Sequence, residues 1–133
     1  MIAMQARPSL TILLAEDHPV NQRIEVLMLK RLGYGAEIVA NGLEALQALE
    51  NHLFDLVLMD VMMPVMDGIE ATRIIRERWP QGPKIIVVTA ALESYRESCI
   101  EAGADDFIAK PVKMDELNAA IERNVGVPAI IMV

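Results

Sequence analysis

Each apolar stretch of this 133-residue chain that carries a chemically useful residue carries it at the same place, its carboxyl end. Glu16 and Asp17 close the run Leu10–Ala15, and Asp60 closes Phe54–Met59. Thr89 closes Lys84–Val88, and Lys110 closes Asp106–Ala109. If the runs are neighbouring parallel strands, three carboxylates, a hydroxyl and an ammonium meet in one crevice. The three acids repel. Two unit charges ~4 Å apart cost about 4 kcal/mol at an effective dielectric of about 20, so either one acid takes a proton or a cation binds. An all-oxygen set without His or Cys suits a hard ion, and Mg²⁺ fits well because it pairs one or two carboxylates with phosphate oxygens. Lys110 supplies a point charge for a phosphate, and the Thr89 hydroxyl can donate to a phosphoryl oxygen. Neither G-x-x-x-x-G-K-[ST] nor G-x-G-x-x-G occurs, so a nucleotide cradle is not expected. A carboxylate can itself be the nucleophile and form an aspartyl-phosphate. Asp60, on the central strand, is the best placed.

Alternating elements must hold these residues. Leu10–Ala15, Ala36–Ala40, Phe54–Met59, Lys84–Val88 and Asp106–Ala109 read as buried strands, being near-continuous apolar runs. Between them lie amphipathic helices. Val20, Ile24, Leu27 and Met28 recur on one face of the first, which Pro19 opens and Gly33 stops. Leu46 and Leu49 mark the second; Ala71, Ile75 and Trp79 the third. Tyr95, Cys99 and Ala102 mark the fourth, and Leu117, Ala120, Ile121 and Val125 the fifth. Strands joined through helices run parallel with right-handed crossovers. The expected architecture is a single α/β domain, a flavodoxin-like (βα)5 doubly wound parallel sheet of strand order 2-1-3-4-5. In that order the first and third strands adjoin, and Asp17 faces Asp60.

Composition narrows the partners. A hydrophobic fraction of 53% provides for a real core, and a net charge of −7 argues against direct contact with nucleic acid. The single cysteine, Cys99, excludes an internal disulfide and suits a reducing, cytoplasmic setting. No apolar run approaches the roughly 20 residues of a membrane span. Residues 1–9 lack a signal-peptide core and read as a tail, and residues 10–125 as the domain. Residues 126–133 are unusually apolar for an exposed tail. The sequence leaves open whether they come from a vector, end a longer parent, or pack on the domain.

Four motifs in this order carry a family resemblance: Ala15-Glu16-Asp17; Met59-Asp60-Val61-Met62-Met63-Pro64-Val65-Met66-Asp67-Gly68; Val88-Thr89-Ala90; and Ala102-Gly103-Ala104 leading to Phe107-Ile108-Ala109-Lys110-Pro111. From about Leu10 to Val125 the chain resembles the receiver domain of two-component response regulators. The stretch Glu16-Asp17-His18-Pro19-Val20-Asn21, with Met62 and Ala91, is most similar to receivers attached to hybrid sensor histidine kinases. The resemblance implies that Asp60 takes a phosphoryl group from a phosphohistidine on a histidine kinase or histidine phosphotransfer domain. It implies Mg²⁺ on Asp17, Asp60 and the Met62 carbonyl, with Glu16 acting largely through water. Thr89 and Lys110 would bind phosphoryl oxygens, Phe107 would be the switch aromatic, and Lys110–Pro111 a cis peptide bond. The domain would be a phosphorylated switch of the helix 4–strand 5–helix 5 surface rather than an enzyme. If it were excised from a hybrid parent, that parent would be a sensor histidine kinase. Met62 and Ala91 offer no group to position a hydrolytic water, so slow loss of the phosphoryl group is expected.

Plainer roles compete residue by residue. Asp17 and Thr89 are also good helix caps, Asp60 alone could be a loop acid, and Phe107 a core residue. Asp67-Gly68 reads as a cap and turn. Cys99 reads as inert core, His18 and His52 as surface residues, the methionines as gap fillers, and Asp105 and Asp106 as solvated. Two rival functions remain. A phosphatase of similar topology would need a second Asp two residues after the nucleophile, where Met62 stands. A phosphorylation-independent receiver-like interaction module would not need the complete acid, hydroxyl and lysine set.

Overall fold

The computed structural model describes residues 3–6, 10–126 and 129–132. Its elements are β1 (Ala3–Ala6), β2 (Ile12–Ala15), α1 (Pro19–Arg31), β3 (Ala36–Val39), α2 (Gly42–Asn51), β4 (Leu56–Asp60), α3 (Gly68–Arg78), β5 (Lys84–Thr89), α4 (Leu92–Ala102), β6 (Asp106–Ala109), α5 (Met114–Val125) and β7 (Ala129–Met132). Five strands pair in the order β3-β2-β4-β5-β6, all parallel. Counted from β2, this is the expected 2-1-3-4-5 order. Strand alternation sorts the core into two layers. Leu13, Ala15, Val57, Met59, Ile85 and Val87 face α2, α3 and α4, where Leu46, Ala71, Ile75 and Cys99 cover them. Ile12, Leu14, Leu58, Ile86 and Val88 face α1 and α5, covered by Leu29, Leu117 and Ile121.

The third predicted strand starts late. Phe54 and Asp55 precede β4, and Asp55 serves instead as a staple to the chain before β2. Its carboxylate accepts from the Thr11 N–H at 2.9 Å, and its own N–H donates to the Thr11 carbonyl at 2.8 Å. Asp105 and Asp106, expected to be solvated, are anchored. Asp105 pairs with Arg76 and accepts from the Ile85 N–H at 2.8 Å. Asp106 holds Arg123 and Asn124, and these partners together with the Phe107 N–H outweigh burial to keep its carboxyl below the usual range. Cys99 is buried in the core, and burial pushes its thiol up.

The first helix is turned away from its expected face. Of the expected face, Met28 does pack against the core, but Val20, Ile24 and Leu27 are exposed, whereas Glu25 and Leu29 are buried. Its rotation is pinned at the far end, where the Tyr34 N–H donates to the Leu29 carbonyl at 2.8 Å and both residues pack with Ile12 and Leu14. Gly33, at φ 95°, makes the return that allows this.

The terminal segments also pair. The backbones of Ala3–Ala6 and Ala129–Met132 form an antiparallel ladder separate from the main sheet, with Ala3 opposite Met132. Residues 1–2, 7–9, 127–128 and 133, assigned to tails from the sequence, lie outside the described residues.

One glycine brings α3 against the end of β4. A Cβ on Gly68 would lie 2.0 Å from the Asp60 carbonyl oxygen, and the Gly68 N–H donates to the Val61 carbonyl at 2.9 Å. Backbone cannot yield as a flexible side chain does. Gly68→Ala is therefore expected to destabilise the fold by about 2–3 kcal/mol. Gly35→Ala, where nothing lies within 4 Å, is the near-neutral control. Urea midpoints of the two variants check this.

Candidate functional site

The sheet delivers its polar residues to one edge. Asp60 is the last residue of β4, Thr89 the last of β5, and Glu16 and Asp17 follow β2 directly. Because β2 adjoins β4, the three acids converge: Glu16, Asp17 and Asp60 each offer a carboxylate oxygen, all within 4.8 Å of one another. Glu16 and Asp60 are buried and Asp17 is exposed. A crevice of about 240 Å³ opens there, lined by these acids with His18, Asn21, Met62, Ala90 and Lys110.

Lys110, the residue after β6, closes the arrangement. Its Nζ lies 3.1 Å from Asp60 Oδ2 and 3.3 Å from Glu16 Oε2. Its N–H donates to the Thr89 carbonyl at 3.0 Å, and the Lys110–Pro111 peptide bond is cis, as the resemblance implied. Two hydrogen bonds to its backbone hold Glu16 in place. Glu16 N–H donates to the Val39 carbonyl at 3.0 Å, and the Gln22 side chain donates to the Glu16 carbonyl at 2.6 Å.

The electrostatics are those of a site with too little positive charge. Burial pushes the Asp60 carboxyl up to about 7; the Glu16 carboxyl hydrogen-bonded beside it adds to the rise, and Lys110 opposes it. Burial alone would lower the Lys110 ammonium, but Asp60 and Glu16 outweigh it and hold it above its ordinary value. With all three acids ionised against the single ammonium of Lys110, the cluster is short of two positive charges, which a divalent cation on hard oxygen donors would supply. The donor set present fits Mg²⁺ on the three carboxylates. The Met62 residue lies in the same crevice.

The competing local roles sort out geometrically. Asp17 does not cap α1; His18 does, its Nδ1 accepting from the Val20 N–H at 3.3 Å. Nor does Thr89 cap α4, whose N-cap position is Ala91; the buried Thr89 hydroxyl accepts from the Ala91 N–H at 3.1 Å. Asp67 does cap α3, accepting from the Glu70 N–H at 2.9 Å. Phe107 stands apart from the acids. It sits opposite Val87 on the face of β5 that also carries Thr89, half-buried, with the Arg96 guanidinium 5.6 Å from its ring centroid.

One residue had no signal in the sequence. Glu25, on the inward side of α1, is 5% exposed, and burial pushes its carboxyl up to about 7, with Lys110 opposing and Asp60 adding. An acid within an apolar helical pattern reads as the solvated face, and only the rotation of α1 turns it inward.

Known proteins share this fold. The family model for the response regulator receiver domain matches residues 12–122. The receiver domain of a sensor histidine kinase from Pseudomonas aeruginosa PAO1, solved with a magnesium ion coordinated in its active-site cleft, is 42% identical with a TM-score of 0.82, covering 90% of this chain and 99% of that one. Hybrid signal transduction histidine kinase H of Dictyostelium discoideum is 43% identical over 88% of this chain, and the hybrid signal transduction protein dokA of the same organism 36% over 88%. The chain spans 9% and 7% of the length of these two proteins.

The buried Glu25 makes stability pH-dependent. With its carboxyl near 7 in the folded protein against 4.5 ordinarily, the fold binds more protons than the unfolded chain between those values. Stability therefore falls as pH rises through that window, and the loss is complete above it. At about 1.4 kcal/mol per unit over the rise from 4.5 to about 7, Glu25→Gln should stabilise the metal-free protein by ~3 kcal/mol at pH 8, and hardly at all at pH 4. Urea unfolding of both proteins at the two pH values gives the difference.

Proposed function

The chain belongs to the response regulator receiver domain family, and on that premise we propose that Asp60 is the phosphoacceptor of a two-component or phosphorelay pathway. The observation that carries this is the hold of Lys110 on both Asp60 and Glu16, with Asp17 in the same crevice at the carboxyl edge of the sheet. An Asp60 carboxylate oxygen attacks the phosphorus of a phosphohistidine on a histidine kinase or histidine phosphotransfer domain. The new O–P bond replaces the N–P bond, and the imidazole leaves with its electron pair. Glu16, Asp17, Asp60 and the Met62 carbonyl would hold Mg²⁺, which supplies charge neutralisation at the transferring oxygens. Lys110 is already on Asp60 and needs only a short shift to pair with a phosphoryl oxygen. The Thr89 hydroxyl, bonded locally to the Ala91 N–H, can turn to donate to another.

The docking side is suggested by the unexpected face of α1. Val20, Ile24 and Leu27 present exposed apolar area beside the crevice, to which His18 and Asn21 of the same segment belong. An apolar helix of the donor would cover it.

The output is a change of surface, not turnover. A phosphoryl group on Asp60 adds charge that draws Lys110 and Thr89 inward. Phe107 lies on the same sheet face as Thr89, so movement of Thr89 frees space toward which the ring can turn. That turn breaks the stacking of Arg96 and repacks α4, β6 and α5.

Incubation with acetyl phosphate and Mg²⁺, followed by intact mass, tests the assignment. The expected result is one added phosphoryl group on the wild type, mapped to Asp60, and none on Asp60→Asn, which remains folded. Labelling of that variant at an acid-stable linkage would sink the assignment. Met62 and Ala91 leave no polar side chain at either position to orient a water. The phosphorylated protein should therefore persist for hours in Mg²⁺ buffer, and Met62→Asn should shorten that lifetime. Mass measured over time reads both.

A further inference from the structure

Lys110 lies between two chambers. One is the acidic crevice. The other, of about 320 Å³, lies between α1 and the segment after β6; Ile24, Glu25, Ala90, Lys110 and Val112 are among its walls. Its walls are apolar except for Glu25 and the edge of Lys110 and Asn21. Glu25 is buried on α1 and, among the described residues, its carboxyl takes part in no hydrogen bond or ion pair. Among the described residues no fully buried side-chain oxygen is without a partner, so the Glu25 carboxyl keeps a sliver of contact with this chamber. A carboxyl held this way is costly unless some cation reaches it for part of the working cycle. Burial has pushed its proton affinity up to about 7, and Lys110 is the charge that opposes the rise.

Among the described residues, Lys110 is the cation that shares this chamber with Glu25, and it already has two partners. Lys110 Nζ pairs with Asp60 and Glu16, the same carboxylates a divalent ion would use. An ammonium and a divalent ion on shared oxygens repel. The lysine stem is long and flexible, and an apolar chamber suits its methylenes. We propose that Glu25 is a positioning residue, the alternate counter-ion of Lys110: it takes the ammonium while Glu16, Asp17 and Asp60 hold Mg²⁺, and yields it again to a phosphoryl group on Asp60. The inference rests on the phosphoacceptor reading and assigns that site a waiting position. A lysine parked on a weakly solvated acid stays close and charged, rather than swinging into solvent.

The test is a double-mutant cycle read by Mg²⁺ binding, with isothermal titration calorimetry at pH 8 on the wild type, Glu25→Gln, Lys110→Met and the double variant. In the wild-type background Glu25→Gln should weaken Mg²⁺ binding by about tenfold, within the range of coupling between neighbouring charges. In the Lys110→Met background it should change little. In parallel, the Lys110 ammonium of Mg²⁺-saturated wild type should give a slowly exchanging ¹⁵N signal that Glu25→Gln loses and Glu25→Asp partly keeps. Equal weakening in both backgrounds would mean that Glu25 acts on the ion directly as a distant charge, and would overturn the proposal. So would unchanged Mg²⁺ affinity in Glu25→Gln. Absence of Mg²⁺ binding by the folded wild type would overturn the phosphoacceptor reading itself, and this inference with it.

Discussion

A shortage of positive charge organises this molecule's functional edge. Glu16, Asp17 and Asp60 come within 4.8 Å of one another, and one ammonium, Lys110, bridges two of them. Nothing in the hydrophobic core asks for this. Burying Glu16 and Asp60 works against folding, as the raised proton affinity of Asp60 records. The fold carries that cost because the sheet brings the strand ends together regardless of what stands on them. The site is therefore poised to take up positive charge or to exchange Lys110 between partners.

The rest of the structure makes that edge rigid. The β2 and β4 strands lie wholly within the core, so their carboxyl ends have little freedom. Gly68 lets α3 start directly against the Asp60 carbonyl, and the Gly42 N–H donates to the Met66 carbonyl at 2.9 Å, tying the loop after β4 to α2. On the far side, Arg76 reaches from α3 to the Gly103 carbonyl at 2.9 Å and to Asp105, fixing the turn that leads into β6. Lys110 thus follows a strand whose start is anchored by charge, and its own N–H is tied to the Thr89 carbonyl.

Softness is concentrated elsewhere. Phe107 is only half-buried beneath Arg96, and the Tyr95 hydroxyl touches Met62 Sδ at 3.5 Å. Contacts of this kind are weak one by one. They link α4 to the loop that carries Met62 and to the strand that leads into Lys110. A change of charge at Asp60 can reach the α4–β6–α5 surface through them without disturbing either core layer.

Much was determined by the sequence alone. Five apolar runs separated by helical periodicity leave few topologies, and the polar residue after each run marks the edge where ligands bind in such sheets. Hence the strand order and the meeting of Glu16, Asp17, Asp60 and Lys110 were legible. These depend on local pattern and on rules of connection, which neighbouring residues encode. Tertiary structure alone decided what depends on rotation and reach. It turned Val20, Ile24 and Leu27 of α1 outward and Glu25 inward, because Leu29 is pinned to Tyr34 at the helix end. It gave the α1 cap to His18 and left Asp17 for the crevice. It recruited Asp55, Asp105 and Asp106 as anchors through partners up to 44 residues away. Pairings of that span leave no periodic trace in the chain, since only packing of the completed sheet brings the two ends together.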